Sequence, residues 1–167
     1  MTEPIRVSVS DTIAVVLFDR PLAYNSFDLD TIRLFAERLV DLASDDKIRS
    51  VVISGQGNVF CSGGDLKWAS GWEQGHASAF YHLAGSYHQA IVEIRRMRKP
   101  VIAAINGTAA GGGFSLALAC DFRVMAESAF LRQAYTSNGL SIDGGGTFTL
   151  PRIVGLARAL EIAVFDR

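Results

Sequence analysis

The chain has 167 residues, of which 49% are hydrophobic, 16 are basic and 17 are acidic, and its formal net charge is −1. This composition is typical of a globular domain and excludes an intrinsically disordered chain. A near-neutral chain has no strong positive field to attract a polyanion, so we expect no nucleic acid and no membrane as partner. Two cysteines, and an N-terminal stretch without the regions of a secretory signal, predict a reduced, cytoplasmic protein.

The first third of the chain predicts a hairpin, a helix and a buried strand. Segments 5–9 and 13–18 have the pattern of two strands joined by a tight turn. Asp28 is placed to cap a helix whose apolar residues recur at helical spacing. Segment 50–55 then predicts a buried strand that runs into the polar, glycine-containing loop 55–65.

The rest of the chain repeats this strand and helix pattern. A long helix is predicted from about Ala77 to Arg98, and a strand follows at 101–105. A further strand at 122–126, a short strand near Phe130 and a last helical stretch at roughly 147–166 complete the prediction. Strand, loop and helix units in succession predict an α/β fold with largely parallel strands in a single domain.

Two of the predicted strands, 50–55 and 101–105, each run into a loop in which glycines precede a helix. Free backbone N–H groups in such loops can bind negative charge. The second loop lacks the lysine of a P-loop, and its glycine spacing is not that of a dinucleotide-binding loop. The loops could form an oxyanion hole for a carbonyl substrate, or they could allow tight packing of strand against helix.

Longer motifs carry a resemblance to a known family. They are VFCSGGDL at 59–66 and KPVIAAINGTAAGGGFSLALACD at 99–121, supported by Arg20-Pro21, Asn25-Ser26 and GLSIDGGGTFTLPRIVG at 139–155. In this order the motifs resemble the crotonase superfamily, that is, the enoyl-CoA hydratase/isomerase family. The resemblance implies an α/β fold built as a crotonase-like spiral of repeated ββα units, with residues 1–167 forming an acyl-CoA-binding core.

The resemblance also implies where a substrate would bind. The backbone N–H groups of Gly64 and Gly112 would form an oxyanion hole for the thioester carbonyl. Coenzyme A would lie near Ala23, Ser62, Gly63, Asp65, Leu66 and Lys67. Because coenzyme A arrives as part of the substrate, we expect no separate cofactor. The scattered cysteines and histidines predict no metal site.

The residues available for proton transfer depart from the family pattern. Ser115 and Tyr135 stand where a typical hydratase of the family has two glutamates, and neither can replace a carboxylate near neutral pH. Asp143 stands where some isomerases of the family carry a single catalytic aspartate. One carboxylate suffices to move a double bond, because it removes a proton at one carbon and returns it at another. We therefore expect enoyl-CoA isomerisation; a turn or helix N-cap role for Asp143 is the structural alternative.

Two other hypotheses come from the same residues. His88, Asp143 and Tyr135 resemble the 4-chlorobenzoyl-CoA dehalogenase branch, which would make Asp143 a nucleophile and His88 the base that activates water. This second hypothesis predicts an aryl- or acyl-CoA hydrolase or dehalogenase. The third is a non-catalytic crotonase-like binding protein, because both glutamates are replaced. Cys61 has no base near it in sequence, and a packing role is expected.

The length of the chain bears on assembly. Chains of the resembled family continue by several dozen residues into a C-terminal helical region that builds trimers. The sequence therefore predicts the spiral core with this C-terminal helical region absent. For the full-length protein the resemblance implies a homotrimer or a dimer of trimers.

Overall fold

Eight strands and six helices make up most of this computed structural model, which describes residues 3–167. The strands are β1 (Ile5–Ser10), β2 (Ile13–Phe18), β3 (Ser50–Gly55), β4 (Val59–Cys61), β5 (Val101–Ile105), β6 (Thr108–Ala110), β7 (Phe122–Met125) and β8 (Leu131–Arg132). The helices are α1 (Leu29–Ser44), α2 (Leu66–Ser70), α3 (Gly75–Arg96), α4 (Gly112–Ala119), α5 (Gly146–Val154) and α6 (Leu156–Phe165).

The larger of two sheets has the strand order β1-β2-β3-β5-β7. β1 and β2 form an antiparallel hairpin, and the pairs β2–β3, β3–β5 and β5–β7 are parallel. Burial alternates along β3 and β5, because successive side chains of a strand point to opposite faces of the sheet. The predicted hairpin and the predicted strands at 50–55 and 101–105 are confirmed.

Helices α1 and α3 bury their apolar faces in the same core cluster as the larger sheet. On α1 this face consists of Ile32, Phe35 and Leu39, each fully buried and each contributing about 1.5–3 kcal/mol. The predicted cap is confirmed, since Asp28 Oδ1 accepts the backbone N–H of Thr31 at 2.9 Å. The predicted long helix is also confirmed, with both ends shifted by two residues.

The smaller sheet explains why the chain repeats. Its order is β4-β6-β8 and its strands are parallel. The first turn places both of its strands, β1 and β2, in the larger sheet and is followed by α1. From β3 onward, each turn adds one strand to the larger sheet, one strand to the smaller sheet, and then one or two helices. This arrangement is the predicted spiral of ββα units, and it brings the loops that follow β4 and β6 side by side.

The predicted helical stretch at 147–166 is confirmed, but it consists of two helices. α5 and α6 are separated at Gly155, whose φ of 80° and ψ of 158° do not belong to a helix. Glycine adopts this positive φ without the steric penalty that a side chain would bring. Among residues 3–167, no helix is long and apolar enough to cross a membrane.

Candidate active site

The first glycine loop, residues 62–65, is fixed by ion pairs at its end. Asp65 caps α2, with its Oδ1 accepting the backbone N–H of Trp68 at 3.0 Å. Its Oδ2 lies 3.0 Å from Nη2 of Arg20, and the same nitrogen lies 3.0 Å from Oδ2 of Asp28. One guanidinium therefore joins the loop to the start of α1, which gives Arg20 a structural reason to be present.

Two backbone N–H groups, those of Gly64 and Gly112, lie at one cavity. Around Gly64 the neighbouring peptide groups are already paired, because the N–H of Phe27 donates to Gly63 and the N–H of Asp65 donates to Phe27, each at 2.9 Å. Gly112 is the first residue of α4, where a helix offers its N–H no acceptor. Within residues 3–167 neither N–H has an intramolecular acceptor, and both residues line the cavity. Such a pair of donors can hold an oxyanion.

Close contact between the two glycine loops sets this arrangement. At Gly63, where φ is 90°, a Cβ atom would lie 2.7 Å from the backbone nitrogen of Gly112. At Gly113 a Cβ atom would lie 1.9 Å from the carbonyl oxygen of Cys61. Side chains at these positions would force the loops apart, so the tight packing considered from the sequence is present, and it also brings the two N–H groups together.

The cavity has a volume of about 300 Å³ and is mostly apolar at its walls. A small number of polar groups in a largely apolar pocket is the usual composition of a small-molecule site. The lining residues come from the segment just before α1, both glycine loops and the helix starts that follow them, α3, and the segment 134–143. They are Phe27, Ser62, Gly64, Leu66, Phe80, Leu83, Ala84, Tyr87, Gly111, Gly112, Ala134, Tyr135, Asn138, Leu140, Ser141 and Asp143.

Asp143 places a carboxyl group in this cavity. Its Oδ1 accepts the hydroxyl hydrogen of Tyr135 at 2.6 Å. Burial raises the pKa of Asp143, and the hydrogen bond from Tyr135 and the nearby His88 partly offset that rise. The N-cap position of α5 is Gly145, which makes no side-chain cap, so the helix N-cap role considered for Asp143 is wrong. The residue does lie in a turn, since its carbonyl accepts the N–H of Gly146 at 2.9 Å.

Tyr135 and Ser115, the two residues at the family's glutamate positions, are in contact. The Tyr135 oxygen lies 2.9 Å from Ser115 Oγ. Burial, followed by the charge of Asp143, raises the pKa of Tyr135 far above its usual range, so the phenol stays protonated. Ser115 is fully buried behind Tyr135 and does not belong to the cavity wall. Asp143 is the single carboxyl group among the described residues that line the cavity.

His88 lies beside the Asp143 turn without lining the cavity. Its Nε2 accepts the backbone N–H of Gly144 at 3.4 Å, a long hydrogen bond. The rest of this exposed residue faces a separate groove between α1 and α3, which Arg33, Glu37 and Glu93 also line. The structure thus brings the histidine next to the aspartate loop but places no imidazole atom in the cavity wall.

The residues expected near coenzyme A lie together at one edge of the cavity. Ser62 and Leu66 line it, and Gly63 is a buried residue of the loop between them. The half-buried Ala23 belongs to a short turn next to the loop, since the N–H of Ser62 donates to Tyr24 at 3.2 Å. Lys67 is exposed on α2. Both oxygens of the Asp65 carboxylate already have partners, Arg20 and the backbone N–H at the start of α2. Asp65 therefore holds the loop in place at this edge of the cavity.

Cysteine and metal chemistry find no support in the described residues. Cys61 is fully buried, and burial raises the pKa of its thiol to about 12. A thiol in that environment stays protonated and unreactive, in agreement with the expected packing role. Among residues 3–167 there is no group of three histidine, cysteine, aspartate or glutamate side chains arranged to hold a metal ion.

Sequence reasoning missed two residues of the site, Tyr87 and Phe27. Tyr87 lies on the buried face of α3, and its hydroxyl donates to the carbonyl of Gly112 at 2.6 Å. Phe27 stacks on Tyr87 with ring centroids 5.1 Å apart, and both rings line the cavity. A tyrosine among aliphatic residues on a buried helix face is a signal that its hydroxyl needs a partner.

Comparisons with known proteins agree with this geometry. The profile of the family described as Enoyl-CoA hydratase/isomerase matches residues 8–167. 4-Chlorobenzoyl coenzyme A dehalogenase-2 of an Arthrobacter species is 35% identical over 164 residues, which cover 98% of this chain and 59% of the relative. The 1,2-epoxyphenylacetyl-CoA isomerase of Escherichia coli K12 is 36% identical over 165 residues, 98% of this chain and 63% of the relative.

A solved structure of a similar protein has the same fold as this chain. The crystal structure of an enoyl-CoA hydratase from Bacillus anthracis superimposes with a TM-score of 0.92 at 33% identity, covering 98% of this chain and 63% of that one. The chain thus spans about 60% of the length of these similar proteins. By its profile match, its sequence identity and its fold, the chain belongs to the enoyl-CoA hydratase/isomerase family of the crotonase superfamily.

Proposed function

We propose that this chain is the acyl-CoA-binding core of an enzyme that moves a carbon–carbon double bond in an enoyl-CoA thioester. The observation that carries this proposal is the presence of one carboxyl group, Asp143, in the same cavity as the unpaired N–H groups of Gly64 and Gly112. The cavity would take the acyl group, and residues 62–67 with Ala23 would contact the coenzyme.

The proposed reaction needs one base and one oxyanion hole. Asp143, as a carboxylate, removes a proton from the carbon next to the thioester carbonyl of a 3-enoyl-CoA. The negative charge moves to the carbonyl oxygen, where the N–H groups of Gly64 and Gly112 stabilise the dienolate. Asp143, now protonated, returns the proton two carbons further along the chain, and the product is the conjugated 2-enoyl-CoA.

The environment of Asp143 suits both halves of this cycle. Burial raises its pKa, which makes the carboxylate a stronger base than an exposed aspartate. Its Oδ1 is occupied by Tyr135, whereas Oδ2 has no intramolecular partner among the described residues. Among the described residues, every fully buried side-chain oxygen or nitrogen has a hydrogen-bond partner. Because Oδ2 has none, it is not fully buried and can be reached from the cavity. We assign the proton transfer to Oδ2.

Water addition by the two-carboxylate route is disfavoured by the same geometry. It would need a second acid or base beside Asp143, but Ser115 is buried behind Tyr135, and Tyr135 is a phenol of raised pKa. The name of the Escherichia coli relative, an isomerase acting on a CoA ester, also favours rearrangement over hydration.

A direct test uses a 3-enoyl-CoA substrate and follows conjugation by ultraviolet absorbance. We expect turnover by the wild type and a loss of roughly a thousandfold or more in kcat for Asp143→Asn, because the variant has no base in the cavity. The matched control is Asp11→Asn, which removes the same charge from the exposed turn between β1 and β2. Full activity of Asp143→Asn, or equal loss in the control, would refute the role of Asp143.

A second candidate function is supported by the dehalogenase relative and by the position of His88. That relative's name describes action on 4-chlorobenzoyl-CoA. In this alternative the Asp143 carboxylate attacks the ring carbon that bears the halogen and expels a halide ion, which leaves an aryl ester of Asp143. Water, deprotonated by His88, then hydrolyses this ester and releases the hydroxylated product and the free carboxylate. The imidazole would have to leave the Gly144 N–H and approach the cavity.

Two measurements separate these functions. Mass spectrometry under single turnover with aromatic acyl-CoA esters would show an Asp143 adduct if the carboxylate is a nucleophile, and we expect none. Calorimetry with coenzyme A and a non-reactive acyl-CoA, combined with turnover assays on the same panel, tests the non-catalytic alternative. Tight binding without any turnover would support a binding protein.

A further inference from the structure

A buried chain of hydroxyl groups leads from α4 to the carboxyl group of Asp143. Ser115 Oγ lies 2.9 Å from the Tyr135 oxygen, and that oxygen lies 2.6 Å from Asp143 Oδ1. Ser115 is fully buried and Tyr135 is 5% exposed, so the bond between these two hydroxyl groups is shielded from water. The start of α5 closes the site, because a Cβ atom at Gly146 would lie 2.8 Å from Ser115 Oγ.

Counting the hydrogen atoms shows in which direction the hydrogen bonds from Ser115 through Tyr135 to Asp143 run. An ionised Asp143 can only accept, so the single hydroxyl hydrogen of Tyr135 must point at Oδ1. Tyr135 then has no hydrogen left for Ser115, and Ser115 must donate to the Tyr135 oxygen. Within residues 3–167 Ser115 Oγ has no second hydrogen-bond partner, so reversing the chain would leave the serine hydrogen unpaired in a buried site.

We propose that Ser115 is a positioning residue that fixes the Tyr135 O–H bond on Asp143 Oδ1, so that Asp143 exchanges substrate protons only through Oδ2. This proposal rests on the proposed role of Asp143 as acid and base. Ser115 thus has a use of its own at a glutamate position of the family: it acts on the remaining carboxylate through Tyr135 and touches no substrate.

The mechanism is cooperative. A donor on the Tyr135 oxygen polarises the phenol and strengthens its bond to the carboxylate by about 10–30%. A stronger bond to the ionised form lowers the pKa of that carboxylate, opposing the effect of burial. When Asp143 carries the substrate proton on Oδ2, the Tyr135 bond to Oδ1 persists, so the acid returns its proton from the same atom and with the same orientation.

The test is a carbon-13 NMR titration of the Asp143 carboxyl group in the free protein, which requires no substrate. We expect Ser115→Ala to raise the pKa of Asp143 by about half a pH unit and Tyr135→Phe to raise it by roughly one to two units. In the double variant the pKa should equal that of Tyr135→Phe alone, because Ser115 acts only through the phenol.

Controls separate this effect from a general loss of packing. Cys120→Ala shortens a buried side chain at the other end of α4, and it should leave the titration unchanged. Ser115→Cys, with a weaker donor, should give a smaller shift than Ser115→Ala, and it keeps the test available if Tyr135→Phe does not fold. A Ser115→Ala shift of the same size in the Tyr135→Phe background, or no shift at all, would overturn the proposal.

Activity provides the second readout and distinguishes two kinds of failure. The acid limb of the pH profile of kcat/KM should shift to higher pH together with the pKa of Asp143. At a pH on that limb Ser115→Ala should lose about threefold in kcat/KM, and at higher pH it should lose little. Absence of isomerase activity in the wild type would contradict the proposed function while leaving the titration result in place. An unchanged titration with an active wild type would contradict the Ser115 proposal alone.

Discussion

Replacing Gly112 by alanine tests whether the two glycine loops are as closely packed as the site requires. A Cβ atom at position 112 would lie 2.6 Å from Cζ and 3.2 Å from Cε1 of Phe27. Carbon atoms prefer separations of about 3.5–4.0 Å, so the ring must move by roughly 1 Å. Phe27 is 2% exposed and stacks on Tyr87, so a shift of the ring disturbs this stacking. Overpacking of this kind costs about 1–3 kcal/mol.

Two measurements follow from this clash. Urea denaturation should show the free energy of unfolding of Gly112→Ala lowered by about 1–3 kcal/mol. The kcat of the proposed isomerisation should fall by roughly a hundredfold or more, because the shifted N–H no longer points at the oxyanion. Gly85→Ala is the matched control, since Gly85 lies in α3 with open space around it, and the variant should be stabilised by about 0.5–1 kcal/mol.

A double-mutant cycle identifies Phe27 as the obstacle. If the ring is what the new methyl group meets, Phe27→Leu should cost less stability in the Gly112→Ala background than in the wild type. An additive cycle, or a Gly112→Ala variant as stable as the wild type, would refute the packing argument and with it the account of how the Gly112 N–H is positioned.

Further predictions concern Asp143, the cysteines and Tyr87. The pKa of Asp143 is higher in the folded protein than the value of 3.8 expected in the unfolded chain, so the free energy of unfolding falls as pH rises from 3.8 through the folded-state pKa. Urea denaturation should therefore show Asp143→Asn to be more stable than the wild type at pH 7 and equally stable below about pH 4. Cys61 and Cys120 are buried with a thiol pKa of about 12, so a thiol reagent at pH 8 should label neither in the native protein and both in urea; rapid labelling of the native protein would contradict their burial. Tyr87→Phe removes the 2.6 Å bond to the Gly112 carbonyl and should cost about 1 kcal/mol of stability, whereas Tyr81→Phe, at an exposed position, should cost nothing measurable.

Most of the fold could be predicted because local signals and packing agree along this chain. The alternating and apolar segments predicted the strands of the larger sheet, and Asp28 marked the start of α1. The last helical stretch, 147–166, was predicted without its break at Gly155. A glycine inside a helical segment does not by itself reveal a positive φ, so α5 and α6 were not distinguished.

The candidate site could be predicted only as far as the family motifs reach. The motifs predicted that Gly64, Gly112, Tyr135 and Asp143 belong to one site. The structure places all four around one cavity. Their hydrogen-bond partners could not be predicted, because a contact such as Ser115 with Tyr135 joins residues from different turns of the spiral. The position of His88 outside the cavity wall likewise depends on the rotation of α3 about its axis.

Deuterium exchange tests most directly whether Asp143 moves a proton on a thioester held at Gly64 and Gly112. A saturated acyl-CoA is incubated with the protein in D2O, and its mass is followed with time. We expect the wild type to exchange the hydrogens next to the thioester carbonyl and Asp143→Asn not to do so, while free acyl-CoA exchanges far more slowly. Equal exchange by the wild type and Asp143→Asn would show that Asp143 is not the base.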